Sequence, residues 1–286
     1  MRWSGRREST NVEDRRGGLP MGRGFGIGCG GFLAVVVLAW LTGADPQQLL
    51  SLLGGLQQSV PPPEEQTAPA GAPQDELGKF AAVVLADTEE TWTRIFRETG
   101  GRYEEPTMVL FSRTVSSACG YASSAVGPFY CPGDHKLYLD LAFFEELDRR
   151  FGAPGDFAQA YVIAHEVGHH VQNLLGISKR VRALQERARS EEEANALSVR
   201  LELQADCFAG VWGHTANRDR RLLEPGDVEE GLAAAAAIGD DTLQQRARGH
   251  VTPETWTHGS SEMRSEWFRR GLQAGDPVAC DTFNSR

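Results

Sequence analysis

The chain lacks any C-x-x-C pair among its five cysteines, which argues against zinc held on cysteine thiolates. It lacks a basic excess: 29 Lys and Arg stand against 39 Asp and Glu, a formal net charge of −10. That balance argues against a nucleic-acid partner, because phosphate binding needs a basic face. It lacks an internal repeat, which sets aside solenoids and other arrays. What remains is a chain of 286 residues, 41% hydrophobic and 24% charged, long enough for one sizeable core with appendages.

The positive charge is unevenly placed. Arg2, Arg6, Arg7, Arg15, Arg16 and Arg23 precede an uncharged run from Gly24 to Ala44, whose centre, Phe32 to Leu41, is strongly apolar. A run of about 20 such residues can cross a bilayer. Arginines before it and none soon after predict the N-terminus inside and the rest outside. The alternative is a cleaved signal peptide, with Thr42, Gly43 and Ala44 as a weak cleavage site. The expected division is a basic cytoplasmic leader over 1–23, a transmembrane anchor over 24–44, a Pro/Ala/Gln-rich linker over 45–78 and a globular domain over 79–286. The linker composition cannot bury a core. Within the domain, spacing predicts a helix over Lys79 to Thr99 and strands over Thr107 to Phe111 and Lys136 to Leu141. After Asp206 the pattern is largely helical, with an alanine-rich stretch from Val228 to Ile238.

His165, Glu166 and His169 form an H-E-x-x-H run, HEVGH. On a helix the two imidazoles lie four residues apart on one face and can share a Zn²⁺, with Glu166 beside the position left for water. Phe157, Tyr161, Ala164, Val167, Gly168 and Val171 recur at helical intervals, with Asp156 an expected N-cap and Gly176 an expected stop. His170 faces another way and is not read as a ligand. Further on, Ser190 and Glu193 have the form of a capping box. Leu197, Leu201, Ala205, Phe208 and Trp212 then make an apolar stripe. Glu202 and Asp206 flank that stripe. Two carboxylates there need partners: Glu202 as a third metal ligand, and Asp206 as acceptor for a ligand imidazole. The alternative is a solvated acidic pair.

The stretches HEVGHHVQ, LSVRLELQADCFAGVW, SACGYASSAVGPFYCP and THGSS, with the opening MRWSGRRESTNVEDRRG, resemble the YpfJ-like neutral zinc metallopeptidases of bacteria. The resemblance covers nearly the whole chain except the proline-rich stretch, with no departure at the site positions. The H-E-x-x-H plus E-x-x-x-D arrangement also resembles the gluzincins. The resemblance implies one zinc per chain on His165, His169 and Glu202, with Glu166 as general base and Asp206 orienting a histidine. It implies a peptide or protein substrate without saying which. The expected fold is α+β, a gluzincin-like zinc peptidase domain that is mostly helical with a small sheet, behind one N-terminal transmembrane helix. The expected place is a bacterial inner membrane, single-pass through residues 24–44, with the domain outside.

Outside the membrane, cysteines can pair. A Cys119–Cys131 bridge would pin a Ser/Gly/Tyr-rich loop, and Cys207–Cys280 would tie the second metal helix to the C-terminal tail. Reduced, buried thiols are the alternative, and Cys29 is left over. The oxyanion of peptide hydrolysis needs a donor. His258, in a Gly/Ser loop, is the leading candidate, then Tyr161 and His250. The strand near Met108 to Ser112, with Ser116 to Gly120 after it, is expected to pair with substrate backbone. Besides a membrane-anchored peptidase, two other functions fit these residues: a zinc amidase of the cell envelope, and a catalytically silent binding protein on the same fold.

Overall fold

The structure, a computed structural model, describes residues 1–16 and 72–284. In chain order these residues form β1 (Val12–Asp14), α1 (Glu76–Glu98), β2 (Thr107–Phe111), β3 (Thr114–Ser117), β4 (Gly120–Ser123), β5 (Phe129–Cys131) and β6 (Lys136–Asp140). Helices follow: α2 (Ala142–Arg149), α3 (Asp156–Leu174), α4 (Ile177–Gln185), α5 (Glu191–Arg220), α6 (Asp227–Ala237), α7 (Asp240–Arg248) and α8 (Ser261–Ala274). The architecture is mixed and mostly helical.

One sheet has the order β1-β2-β6-β5, and β3 and β4 form a separate hairpin. β2 pairs in parallel with both β1 and β6, while β5 runs antiparallel to β6. β2 is continuously apolar after Thr107 because both faces are covered. Met108 and Leu110 join the main core with the helices, while Val109 and Phe111 pack with Val115, Cys131 and Tyr138. The expectation that Met108 to Ser112 takes up substrate backbone fails here, since both sides of β2 already carry strands.

A second correction concerns the transmembrane helix. No helix among the described residues is long and apolar enough to cross a membrane, and the expected span, residues 24–44, lies outside them. Residues 1–16 pack onto the domain. β1 pairs with β2 in the register Val12 to Met108. The leader's arginines have partners in the domain. Arg6 donates to the Arg220 carbonyl at 2.7 Å, and Arg7 to the Ala86 carbonyl at 2.8 Å and to Glu89 at 2.9 Å. Arg16 bridges Asp14 and Asp75. The Met1 ammonium lies 2.6 Å from Asp156. β1 and β2 therefore lie side by side in one sheet.

Element ends follow local chemistry. α1 starts at Glu76, three residues before the expected Lys79, because Asp75 caps it by accepting the Gly78 N–H at 3.0 Å. Asp156 is the first residue of α3 rather than its cap, and Gly155 takes the cap with φ 112°. Ser190 caps α5 by accepting the Glu193 N–H at 3.1 Å. The Glu193 carboxylate reaches back to the Arg189 N–H at 2.8 Å, one residue earlier than a capping box requires. Disulfides join Cys119 to Cys131 and Cys207 to Cys280. Cys29 lies outside the described residues.

Candidate metal centre

α3 and α5 cross closely at the HEVGH run. A Cβ on Gly168 would stand 2.9 Å from the Ala205 carbonyl oxygen, so this position admits glycine alone without a shift of backbone. That approach brings the two histidines of α3 against Glu202 of α5. His165 Nε2 lies 3.2 Å and His169 Nε2 3.4 Å from the same Glu202 oxygen, Oε2. The three ligand atoms lie within 4.8 Å of one another. Tetrahedral zinc with bonds of about 2.0–2.1 Å separates its ligand atoms by about 3.3–3.4 Å. The residues present fit that ion in both donor type and spacing.

Each imidazole is held from behind by a different group. His165 Nδ1 is 2.7 Å from Asp206 Oδ1. The same carboxylate accepts from the Tyr161 hydroxyl at 2.5 Å and from Arg264 at 2.8 Å through Nε and 2.9 Å through Nη2. His169 Nδ1 is 2.9 Å from Gln172 Oε1. With both Nδ1 atoms so engaged, both Nε2 atoms are left to face Glu202. His170 turns away, as expected, to the Tyr130 hydroxyl at 3.0 Å and the Glu104 carbonyl at 2.6 Å.

The electrostatics favour a cation between the side chains. Burial alone would lower the His165 pKa, but Asp206 and Glu202 outweigh it and push it up to about 10. His169 moves the same way, against its burial, through Glu202. Glu202, despite burial, is held well below the usual carboxylate range by the two histidines. Burial would likewise raise Asp206, but Arg264 and His165 bring it down to about 2. Arg264 reaches Asp206 because α8 packs backbone to backbone on α5. A Cβ on Gly271 would lie 1.9 Å from the Cys207 carbonyl oxygen.

Glu166 lines a small apolar pocket with Pro128, Leu139, Val162 and Ile163. His258 sits in the loop before α8. Asp240 knots that loop by accepting the backbone N–H groups of Thr257, His258 and Gly259 at 2.8, 2.7 and 3.1 Å. Asp240 Oδ1 also lies 3.3 Å from His258 Nδ1, and this bond raises the His258 pKa. The loop leans on α5 at Val199 and Leu203, on either side of Glu202. The other oxyanion candidates are placed differently. Tyr161 is buried with its hydroxyl on Asp206, and His250 is exposed beside the Arg248 carbonyl.

The structure thus brings His165, His169, Glu202 and Asp206 together, with Glu166 beside them on α3. The sequence reading missed Gln172, Arg264 and Asp240. Gln172 alone left a signal: three residues beyond His169, it must share that face of the helix.

A family model described as "Putative neutral zinc metallopeptidase" matches residues 1–283. The uncharacterized protein YpfJ of Escherichia coli strain K12 is 50% identical over 99% of both chains. The uncharacterized protein Mb2605 of Mycobacterium bovis is 42% identical over 86% of this chain and 85% of its own. No solved structure matches.

Proposed function

The chain belongs to the neutral zinc metallopeptidase family, and from that premise we propose that it hydrolyses peptide bonds at the His165, His169 and Glu202 centre. The observation that carries this reading is the convergence of both Nε2 atoms on one Glu202 oxygen, at the separations of a tetrahedral site. His165, His169 and Glu202 would hold a zinc ion with three protein ligands, the number typical of a catalytic rather than a structural site.

Zinc there would supply an activated water and polarise the scissile carbonyl. Glu166, one residue from a ligand on α3, takes the proton of the attacking water and passes it to the leaving amine. His258 donates to the developing oxyanion. Asp240 orients it through Nδ1, so that Nε2 is the free end of the ring. Asp206 and Arg264 hold His165 in one orientation throughout. The two disulfides support an oxidising compartment for this unit.

Glu166→Gln tests the reading. The variant should keep its zinc and its fold and lose about 10²–10⁴-fold in cleavage of a mixed peptide library. Cleavage at the parent rate by this variant would refute the assignment. His258→Ala should lose about 10²–10³-fold with zinc retained. An unchanged rate there would remove only the oxyanion role.

A further inference from the structure

Behind His169 runs a chain of amides that none of the catalytic steps uses. Gln172 is fully buried on α3, and its Oε1 faces His169 Nδ1 at 2.9 Å. Its Nε2 donates to the Leu201 carbonyl at 2.6 Å and to Gln204 Oε1 at 3.3 Å. Gln204, also buried, donates through Nε2 to the Cys280 carbonyl at 2.9 Å. Cys280 is bonded to Cys207, three residues beyond Gln204 on α5.

The direction of each bond follows from the far end. A backbone carbonyl only accepts. The Cys280 carbonyl therefore fixes the Gln204 amide with its nitrogen outward, and Gln204 then presents an oxygen to Gln172. The Leu201 carbonyl, again an acceptor alone, asks the same of Gln172. A flipped Gln172 would set its oxygen against two acceptors and its NH₂ against His169 Nδ1. His169 would then carry its proton on Nε2 and could not bind a metal there. The relay selects the tautomer with Nε2 bare.

We propose that Gln172 and Gln204 are positioning residues that fix His169 in its metal-binding tautomer, and that the Cys207–Cys280 disulfide anchors this relay and so ties metal affinity to redox state. The inference rests on the zinc peptidase reading above. It adds a control on the centre: a thiol reductant that opens the disulfide, itself oxidised to a disulfide as Cys207 and Cys280 become thiols, frees the Cys280 carbonyl, and the amide chain loses its fixed end.

The test is the zinc dissociation constant of the purified full chain, measured by chelator competition. Gln172→Leu, which keeps the volume but removes the acceptor, should weaken zinc by about 10–100-fold. Gln172→Glu, which keeps an acceptor towards His169 but loses the donor to the Leu201 carbonyl and Gln204, should fall between Gln172→Leu and the parent. Gln204→Leu should weaken binding several-fold. Reduction should weaken the parent in the same direction but leave Gln204→Leu unchanged, because its relay is already broken. Equal losses on reduction in parent and Gln204→Leu would overturn the link to the disulfide. Parent-like affinity in Gln172→Leu would overturn the relay while leaving the peptidase reading intact. A parent that binds no zinc would overturn both. If Gln172→Leu does not fold, the reduction series in the parent and Gln204→Leu decides alone.

Discussion

The two histidines of the candidate centre are backed by unlike materials. Behind His165 stands a buried ion pair, Asp206 with Arg264, closed by the Tyr161 hydroxyl. Behind His169 stand neutral amides that end on a backbone carbonyl. A buried ion pair is rigid in charge but costly to break, since removing one partner strands the other. An amide relay is cheaper to break and carries direction instead of charge. One centre thus has a side that secures the fold and a side that can be tuned.

Breaking the charged side should have the largest effect. Asp206→Ala leaves Arg264 buried without its partner and should cost about 3–5 kcal/mol, read from urea unfolding without added metal. Asp206→Leu with Arg264→Met should recover much of that stability but not the parent's zinc affinity. If the single variant were as stable as the parent, the ion pair would not be the structural member of the two.

Acid should separate the charged side from the neighbouring His170 by pH window. Burial holds His170, bonded to Tyr130 and Glu104, down at about 4, against 6.5 in a free chain. The unfolded chain takes a proton that the folded one refuses. This stability is full above pH 6.5 and falls as the pH drops to 4, by about 3 kcal/mol. Asp206, at about 2 against 3.8, contributes stability that is full above pH 3.8 and lost only as the pH falls towards 2. Chemical denaturation at pH 7 and 4.5 should therefore show a large drop in the parent and a small one in His170→Gln. Equal drops would put the acid-sensitive group elsewhere.

The smallest step is in metal loading. With His165 raised to about 10, zinc at neutral pH must displace a proton. Affinity should rise with pH, by about tenfold per unit for each proton released. Proton release on zinc addition in weakly buffered solution measures it, and a null release would contradict the charged backing of His165.

What could be read in advance was local. His165 with His169, and Glu202 with Asp206, are four-residue spacings on single helices, and periodicity alone sets them on shared faces. Arg264 and Asp240 carry no such spacing, because their partners lie 58 and 18 residues away. The leader's contacts were hidden for the same reason. Arginines before an apolar run read as a topogenic signal. Their partners in the fold, such as Glu89 for Arg7 and the Arg220 carbonyl for Arg6, are 82 and 214 residues distant. The disulfide pairs were legible through the segments they tie and the expectation of an oxidising compartment, and the relay that ends on one of them was not legible at all.

The ion pair between Arg16 and Asp75 has an engineering consequence. It sets a residue just beyond β1 beside the cap of α1, so the end of a strand and the start of a helix already meet. The entropic cost of closing a loop changes by only about 0.6 kcal/mol per doubling of length. Replacing the residues between Arg16 and Asp75 with a short Gly/Ser bridge should therefore leave β1 in its register and the zinc site assembled. The product would be a minimal metalloprotein, suited to crystallisation and to zinc titration alike.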